Sequence, residues 1–321
     1  MAQHEPSGVC TLFEDNAEFG MGMRIAIDTN RLQLKQNVQK LLESDKAPAE
    51  LKDLLNKAIE LWDATDAAAI ANQSAIKDYL KGAIAGGCKC ETCAKVYELG
   101  DYFVDKSVWI IGGDGWAYDI GFGGLDHVLA SGRNINVLVL DTEVYSNTGG
   151  QASKSTQLGA VAQFAMSGKR TGKKNLGLMA MSYGYVYTAS CAMGYNQQQL
   201  IDAMVEAEAY KGPSILMCYA PCINHGLKTM MMAQDEEKAA VACGYYPVYR
   251  YNPEPGEGKP RFVWGGPAAV NGKFQDFLAG EKRFSSLKNS PAKAEAEGLY
   301  KACEEDATRR NELYQQIGKL M

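Results

Sequence analysis

Short apolar runs separated by polar, glycine-containing segments mark the middle of the chain. Two of these runs, 107–111 and 136–140, are rich in β-branched or branched aliphatic residues and stop at a glycine or an aspartate. That is the pattern of a short buried strand. A helical pattern over 124–130 lies between them. A strand, a helix and a second strand in this order predict a β-α-β unit, and therefore a parallel sheet.

The pattern continues in both directions. Apolar residues recur three or four positions apart from about 23 to 80, which predicts a series of helices. Beyond the β-α-β unit, the pattern predicts a strand over 176–181, a helix over 197–210 and a strand over 214–219. We therefore expect an α/β fold with a mostly parallel sheet flanked by helices.

The two ends of the chain differ from this middle part. Residues 1–12 are expected to be a polar, solvated leader, and 13–240 carry the predicted strands and helices. Residues 241–321 are interpreted as an extended arm followed by a helical carboxyl-terminal tail. The arm, 245–272, contains five of the ten prolines, which favours an extended chain over regular structure.

Composition and charge exclude several classes of function. The chain of 321 residues is 46% hydrophobic and 22% charged, with a formal net charge of −5. An acidic balance of this kind gives no reason to expect a nucleic acid or an anionic membrane as a partner. No stretch approaches the roughly twenty apolar residues of a transmembrane helix, and no signal peptide is recognised. We expect a cytoplasmic protein, or one in a hydrogenosome-like organelle.

The nine cysteines are expected to be reduced thiols, because their odd number and the context argue against a disulfide scaffold. Three of them, Cys88, Cys90 and Cys93, form a C-x-C-x-x-C cluster in a predicted loop. Three thiolates this close could bind a soft metal ion, although a fourth ligand is missing. A redox-reactive loop and an inert exposed loop are the alternatives, and the sequence leaves all three open.

Polar loops follow the two central strands. The first contains Gly113, Asp114 and Gly115, and the second is the polar, glycine-rich segment 141–150. The carboxyl ends of parallel strands lie at one edge of a sheet, where α/β proteins bind ligands. Glycine lets the backbone approach a bound group closely, and Asp114 offers a hard oxygen ligand to a cation such as Mg²⁺. The simpler interpretation of the first loop is an ordinary glycine-rich turn.

The recognisable sequence pattern of these loops is longer than the tripeptide Gly-Asp-Gly. A Gly-Asp-Gly followed about thirty residues later by an asparagine-containing loop is typical of thiamine-diphosphate enzymes, and the segments 112–132 and 141–151 closely resemble pyruvate:ferredoxin (flavodoxin) oxidoreductases. The resemblance begins at 13–20 and continues through 219–226 to 249–253, so that it covers nearly the whole chain. In that family this segment is the carboxyl-terminal thiamine-diphosphate domain of a much longer polypeptide. The resemblance therefore implies a thiamine-diphosphate-binding fold in a fragment or subunit.

The resemblance also implies a set of site residues. It makes the Asp114 carboxylate, the Thr142 hydroxyl and the Val144 carbonyl the ligands of Mg²⁺. It places Trp116 near the thiazolium ring and Asn147 near the diphosphate and the reacting carbon, so that Asn147 becomes the candidate catalytic residue. The complete implied cofactor-binding set is Gly113, Asp114, Gly115, Trp116, Thr142, Val144, Asn147 and Thr148.

One cysteine acquires a role through the same resemblance. Cys222 follows the predicted strand 214–219, at the sheet edge that carries Asp114 and Asn147. In the resembled family the cysteine at this position helps to hold the [4Fe-4S] cluster nearest the thiamine. Such a cluster needs four thiolate ligands, and only this one is evident in the chain. Without the resemblance, Cys222 would be interpreted as a lone buried thiol.

A cationic stretch after the second loop has two interpretations. Lysines and an arginine cluster between 154 and 174, beside the expected diphosphate site. They could meet the phosphates of coenzyme A or the acidic face of a ferredoxin. The favoured interpretation is a solvated surface loop, since most charge runs are of that kind.

The activity that the resemblance implies is oxidative decarboxylation: pyruvate, coenzyme A and oxidised ferredoxin give acetyl-CoA, carbon dioxide and reduced ferredoxin. The implied cofactors are thiamine diphosphate, Mg²⁺ and a [4Fe-4S] cluster. The implied partners are the remaining domains or subunits, ferredoxin or flavodoxin, and a second copy in a homodimer. Because several family parts have no counterpart here, the chain alone is expected not to turn over pyruvate. A non-redox thiamine-diphosphate carboligase or decarboxylase, and a non-catalytic assembly fragment, are the alternatives.

Overall fold

The computed structural model of this chain describes residues 14–227 and 230–321. The predicted polar leader, 1–12, lies outside the described residues. The chain divides into two compact units. One contains residues 109–321 together with the segment before residue 21, and the other contains residues 21–108.

Helices account for much of the described chain. In the described residues they are α1 (Asn16–Glu43), α2 (Ala49–Glu60), α3 (Ala67–Ala85), α4 (Glu91–Glu98), α5 (Phe122–Ala130), α6 (Leu176–Met181), α7 (Gln197–Ala209), α8 (Ala233–Ala242), α9 (Phe274–Gly280), α10 (Lys282–Ser285) and α11 (Ala296–Leu320). The helices predicted between 23 and 80, over 124–130 and over 197–210 are therefore present. One turn of π-helix, Gly115–Ile120, precedes α5.

One six-stranded sheet forms from the described residues. Its strands are β1 (Trp109–Gly113), β2 (Asn136–Asp141), β3 (Tyr187–Cys191), β4 (Ser214–Tyr219), β5 (Tyr249–Tyr251) and β6 (Phe262–Trp264). Their order across the sheet is β1-β2-β4-β3-β5-β6. The first four strands in that order pair in parallel, and β5 and β6 pair antiparallel. The mostly parallel sheet flanked by helices is as predicted.

The predicted strand over 176–181 is wrong, because these residues form α6 and the third strand is β3. The run Leu-Gly-Leu-Met-Ala-Met has no β-branched residue, and a short apolar run cannot by itself be distinguished from a buried helix. The helix begins at a proper cap: the Asn175 side chain accepts a hydrogen bond from the backbone N–H of Leu178 at 3.1 Å. The true strand contains Thr188 and Ser190, which conceal its burial.

Residues 241–321 pack on the sheet and contribute two strands to it. The predicted arm supplies β5 and β6, so it is extended but also paired. An aromatic cluster explains the attachment. Its buried members include Tyr219 of β4 with Tyr245, Phe274, Phe277 and Phe284.

The unit of residues 21–108 has its own core, in which α1 to α4 contribute apolar side chains such as Leu34, Leu55, Ile76 and Val96. Amphipathic helices of this kind are stabilised chiefly by burying such faces. The sequence did not predict that this stretch forms a compact unit. None of the helices in the described part of the chain combines the length and apolar character that crossing a membrane requires.

A substitution in α6 tests its packing under the sheet. A Cβ atom at Gly177 would lie 1.9 Å from the hydroxyl oxygen of the fully buried Tyr249. Overpacking of this kind costs about 1–3 kcal/mol, so Gly177→Ala should lower the free energy of unfolding by that amount in a urea titration. Gly298→Ala in α11 is the control, because its Cβ would have no neighbouring atom within 4 Å. A control that destabilises as much as Gly177→Ala would show that overpacking is not the cause.

Candidate functional site

The parallel pairing of β1 and β2 brings two loops together. Gly113 at the end of β1 is in register with Leu140 near the end of β2. Asp114 and Thr142 come immediately after these strand ends, at the carboxyl edge of the sheet. The Thr142 hydroxyl donates a hydrogen bond to Asp114 Oδ1 at 2.8 Å. The expectation that the two loops meet at one sheet edge is therefore confirmed.

Oxygen atoms gather around the Thr142 hydroxyl. Its Oγ1 lies 2.9 Å from the Val144 carbonyl oxygen and 2.8 Å from Ser146 Oγ, in addition to its contact with Asp114. A hydroxyl has a single proton to donate, so it cannot satisfy all three neighbours at once. One carboxylate, two hydroxyls and a carbonyl within reach of one point form the all-oxygen donor set that Mg²⁺ prefers.

The Asp114 carboxylate is deeply buried, with 1% of its surface exposed. Its second oxygen accepts a hydrogen bond from Ser153 Oγ at 2.6 Å. Burial, and then the nearby charge of Asp141, raise the pKa of Asp114 to about 7. Within residues 14–227 and 230–321 its partners are hydroxyls and not cationic side chains. A divalent cation would favour the ionised carboxylate here, so these residues fit one.

A cavity of about 340 Å³ opens beside this cluster. A ligand pocket for a small cofactor typically has this size or more. All eight residues of the predicted cofactor-binding set line it, together with Asn16, Ile111, Gly112, Leu140, Tyr145 and Ser146. The structure thus brings the predicted set together, while the role of each residue stays a prediction.

Glycines in β1 and in the loop after it make room for two aromatic rings. A Cβ at Gly112 would lie 2.4 Å from the ring of Trp116, and one at Gly115 would lie 2.5 Å from the ring of Tyr145. Trp116 is 1% exposed, so its ring is fixed between the π-helical turn and the strand end. At Gly113, in contrast, a Cβ would meet no atom within 4 Å. The backbone at Gly113 therefore faces open space in the cavity wall.

The tip of the second loop is exposed. Asn147 and Thr148 both line the cavity and are solvent-accessible. Thr148 Oγ1 donates to Gln151 Oε1 at 2.6 Å, which holds the tip in a tight turn. The structure places Asn147 at the cavity. Its catalytic role stays a prediction.

Glu143 is a residue that the sequence interpretation missed. It lies between the two proposed ligands, is completely buried, and has a left-handed backbone with φ of 57°. Its carboxylate is held by Lys173 at 2.9 Å, Arg283 at 2.8 Å and the Tyr245 hydroxyl at 2.7 Å. Burial alone would raise the pKa of Glu143, but Lys173 and Arg283 bring it well below its usual range. This anchored carboxylate fixes the backbone on which Thr142 and Val144 are presented.

His225 supports the same loop from the other side. It is fully buried, and its Nε2 donates to the Thr142 carbonyl oxygen at 2.8 Å. Its Nδ1 lies 3.2 Å from Glu281 Oε1, and Glu281 in turn pairs with Arg283 at 2.7 Å. A chain of contacts thus runs from the carboxyl-terminal tail to Thr142. No local sequence signal could have revealed it, because the partners are far apart along the chain.

Cys222 lies beyond the end of β4, in a loop next to the second site loop. β4 and β2 end side by side, since Asp141 is in register with Tyr219. The Cys222 sulfur accepts a hydrogen bond from Asn224 Nδ2 at 3.4 Å, and Asn224 lies against Gly150. The structure therefore places Cys222 at the predicted edge of the sheet, although it is not part of the cavity lining.

The favoured interpretation of the cationic stretch as a solvated loop is wrong for three lysines. Lys173 is nearly buried and pairs with Asp141 at 2.5 Å as well as with Glu143. Lys169 donates to the Thr156 carbonyl at 2.5 Å, and Lys174 lies over the Phe122 ring. Burial, before any other cause, lowers the pKa of Lys169 and Lys174 to about 8. Lys173 therefore supports the second site loop from within.

The described residues contain no group of three or more His, Cys, Asp or Glu side chains arranged to hold a metal ion. The oxygen cluster at Asp114 has a single carboxylate, which explains why it is not such a group. The three cysteines at 88, 90 and 93 do not form one either, and so the metal interpretation of that cluster gains no support.

Comparison with known proteins agrees with the architecture. Residues 82–218 match the family described as thiamine pyrophosphate enzyme, C-terminal TPP binding domain. The chain is 51% identical over 325 residues to the pyruvate:ferredoxin oxidoreductase of Moorella thermoacetica, covering 98% of this chain and 27% of that protein. It is 46% identical over 317 residues to the pyruvate-flavodoxin oxidoreductase of Klebsiella pneumoniae, covering 98% of this chain and 26% of that protein.

A third relative carries a different name. The mitochondrial pyruvate dehydrogenase [NADP(+)] of Euglena gracilis is 47% identical over 289 residues, which cover 89% of this chain and 16% of that protein. The chain spans about a quarter of the length of the first two relatives. It is a homologue of one part of the pyruvate:ferredoxin and pyruvate-flavodoxin oxidoreductases, and its residues 82–218 match the C-terminal TPP binding domain of the thiamine pyrophosphate enzymes.

Proposed function

We propose that this chain is the thiamine-diphosphate-binding part of a pyruvate:ferredoxin oxidoreductase, which converts pyruvate, coenzyme A and oxidised ferredoxin into acetyl-CoA, carbon dioxide and reduced ferredoxin. One observation carries the proposal: Asp114 Oδ1, Thr142 Oγ1 and the Val144 carbonyl converge at the carboxyl edge of a parallel sheet. The names of the relatives supply the substrate. The carboligase, decarboxylase and assembly alternatives have no support among the relatives described above.

We assign Asp114, Thr142 and Val144 as the Mg²⁺ ligands. The carboxylate supplies the charge, and the hydroxyl and carbonyl oxygens complete a hard donor set whose remaining positions suit phosphate oxygens and water. Glu143 and His225 hold the backbone of the Thr142 loop from both sides. The ligands are therefore organised before any cation arrives, which lowers the free-energy cost of binding.

We assign thiamine diphosphate to the cavity lined by the predicted set. When bound, this cofactor supplies the nucleophilic carbon and the electron sink for decarboxylation of a 2-oxo acid. Gly113 and Gly115 leave the backbone accessible, and Trp116 forms a rigid apolar wall. Asn147 and Thr148 offer an amide and a hydroxyl to diphosphate oxygens, and Asn147 is the proposed catalytic residue.

Further parts of the proposal concern the whole enzyme. We propose that Cys222 is one ligand of a [4Fe-4S] cluster, for which other parts of the enzyme supply three thiolates. Ferredoxin or flavodoxin is the proposed electron acceptor, and a homodimer is the proposed assembly. Within the chain, we assign cofactor binding to 13–240 and its structural support to 241–321, where Glu281 and Arg283 reside.

Thermal unfolding of the 321-residue chain tests cofactor binding directly. A ligand of the native state at 100 times its Kd stabilises a protein by about 2.7 kcal/mol. For a chain of this size that corresponds to a rise in Tm of about 4 °C. We expect the rise with Mg²⁺ and thiamine diphosphate together, and a much smaller one with thiamine, which lacks the diphosphate. Equal unfolding curves with and without the cofactor pair would refute the proposal.

The same preparation tests whether this polypeptide alone catalyses the complete reaction. The 321 residues span about a quarter of the relatives' length. We therefore expect cofactor binding without measurable acetyl-CoA formation when pyruvate, coenzyme A and an electron acceptor are added. Robust turnover by this polypeptide alone would show that the missing functions reside within it.

A further inference from the structure

The cysteine cluster in the unit of residues 21–108 lies outside the proposed cofactor site. Cys88 and Cys90 are exposed, whereas Cys93 is 8% exposed and packs into the apolar core of that unit. All three are free thiols in this structure. The cluster therefore combines accessible sulfur atoms with a sheltered one only three residues away.

The geometry of the pair Cys90 and Cys93 is set by a helix. Cys90 is the N-cap of α4, and its sulfur accepts a hydrogen bond from the backbone N–H of Cys93 at 3.4 Å. An N-cap side chain that bonds the third helical N–H lies over the helix start, beside the side chain of that third residue. The positive end of the helix dipole also favours a thiolate at this position.

The two thiols differ in reactivity, as disulfide exchange with one attacking and one resolving sulfur requires. The Cys93 N–H, before other causes, lowers the pKa of Cys90, so the exposed sulfur is the better nucleophile at neutral pH. Burial, followed by the contacts with Cys90 and Cys88, raises the pKa of Cys93 to about 12. An accessible, activated thiolate followed by a buried thiol in a Cys-x-x-Cys sequence is the arrangement of disulfide oxidoreductases.

We propose that Cys90 and Cys93 are a reversible dithiol-disulfide pair that exchanges with low-molecular-weight disulfides, with Cys90 as the attacking sulfur and Cys93 as the resolving one. The pair lies wholly within the 21–108 unit. The proposal is independent of the proposed function, since it uses no residue of the cofactor site.

Atoms and electrons balance in the exchange. The Cys90 thiolate attacks one sulfur of a disulfide RSSR, forms a mixed disulfide and releases RS⁻, which takes up a proton. The Cys93 sulfur loses its proton and attacks Sγ of Cys90, which releases the second RS⁻ as a thiol. Two protein thiols are oxidised and one RSSR is reduced to two RSH, with two electrons transferred. Once Cys90 is in the mixed disulfide its negative charge is gone, which removes one cause of the high pKa of Cys93.

Mass spectrometry on the full 321-residue chain tests the pair. The reduced protein is equilibrated with mixtures of reduced and oxidised glutathione, quenched with an alkylating reagent and digested. We expect the 88–93 region to lose the mass of two hydrogen atoms, with a link between Cys90 and Cys93 that reverses when reduced glutathione is restored. Cys93→Ser should stop at a glutathione adduct on Cys90, and Cys90→Ser should form no link and react more slowly, because the accessible sulfur that the Cys93 N–H favours as a thiolate is gone.

Two control variants distinguish this pair from the remaining thiols of the chain. Cys88→Ser should still form the link, and Cys303→Ser, at a buried thiol of the other unit, should leave the exchange unchanged. Circular dichroism confirms that each variant is folded. A persistent adduct on Cys90 of the unmodified chain, a link between Cys88 and Cys90, or protection of all three thiols by zinc alone would each overturn the proposal.

Discussion

Asp114→Asn is expected to weaken the binding of Mg²⁺ and thiamine diphosphate by at least about 100-fold. Loss of a residue that merely orients a metal ligand typically costs about 10–100-fold in affinity, so loss of the charged ligand itself should cost more. Isothermal titration of thiamine diphosphate at fixed Mg²⁺ measures the effect. The amide has nearly the shape of the carboxylate and can still accept from Ser153, so the local packing is retained.

The fold of the variant is expected to survive without ligand. Asn replaces a carboxylate whose charged form is disfavoured by burial, so the substitution removes a buried charge and creates no cavity. Asp276→Asn, the same change at an exposed position of α9, is the matched control and should leave the affinity unaltered. Normal cofactor affinity in Asp114→Asn would place the cation somewhere else.

Arg283→Met is expected to lower the free energy of unfolding by about 3–5 kcal/mol. The guanidinium pairs with Glu143 at 2.8 Å and Glu281 at 2.7 Å, and all three side chains are almost completely buried. Removing one member of a buried ion pair leaves an uncompensated charge, which is the source of a penalty of this size. Urea unfolding measures it. Arg309→Met, at an arginine whose side chain is 76% exposed, should cost less than about 1 kcal/mol.

A double substitution identifies the cause. Adding Glu281→Gln to Arg283→Met removes one of the two stranded carboxylates, and we expect it to recover at least about 1 kcal/mol. If the proposed cation site is correct, Arg283→Met should also weaken cofactor binding, because Glu143 then loses a partner that fixes the Thr142 loop. A double variant less stable than the single one would mean that lost packing, and not stranded charge, dominates.

The parts of the fold that were predicted are those with local signals. β1, β2 and β4 are aliphatic runs that stop at glycine, aspartate or a turn, and the Asp114 and Thr142 loops follow directly from where two of these strands end. A parallel pair then has to bring the loop tips together. The residue types and their order along the chain were therefore enough to predict these strands and the two loops.

The parts that were missed depend on tertiary contacts. β3 contains Thr188 and Ser190, whose hydroxyls are satisfied by the backbone oxygens of Val186 and Pro247, so its burial leaves no hydrophobic pattern. β5 and β6 lie in a proline-rich stretch that the sequence predicted as an extended arm, without predicting its strands. The lysine at 173 was interpreted as solvated because a charge run gives no sign of buried partners such as Asp141.

The same reason explains why the support of the site was not foreseen. Glu143 lies between two residues that were predicted as ligands, and no role was predicted for it. Its partner Arg283 lies in the carboxyl-terminal tail. Only the folded chain brings them together. Sequence patterns thus located the candidate ligands, whereas the residues that hold those ligands in place required coordinates.

The position of β1 in the sheet has a consequence for dynamics. It is a terminal strand of the sheet that the described residues form, paired only along β2. Peripheral ladders open at lower free energy than central ones. Because Asp114 follows β1 and Thr142 follows β2, a cation bound by both residues would link the two strands. It would thereby stabilise their pairing at the edge of the sheet. Local unfolding of β1 and release of the cofactor would then be coupled. Amide hydrogen exchange along β1 could follow this coupling without an activity assay.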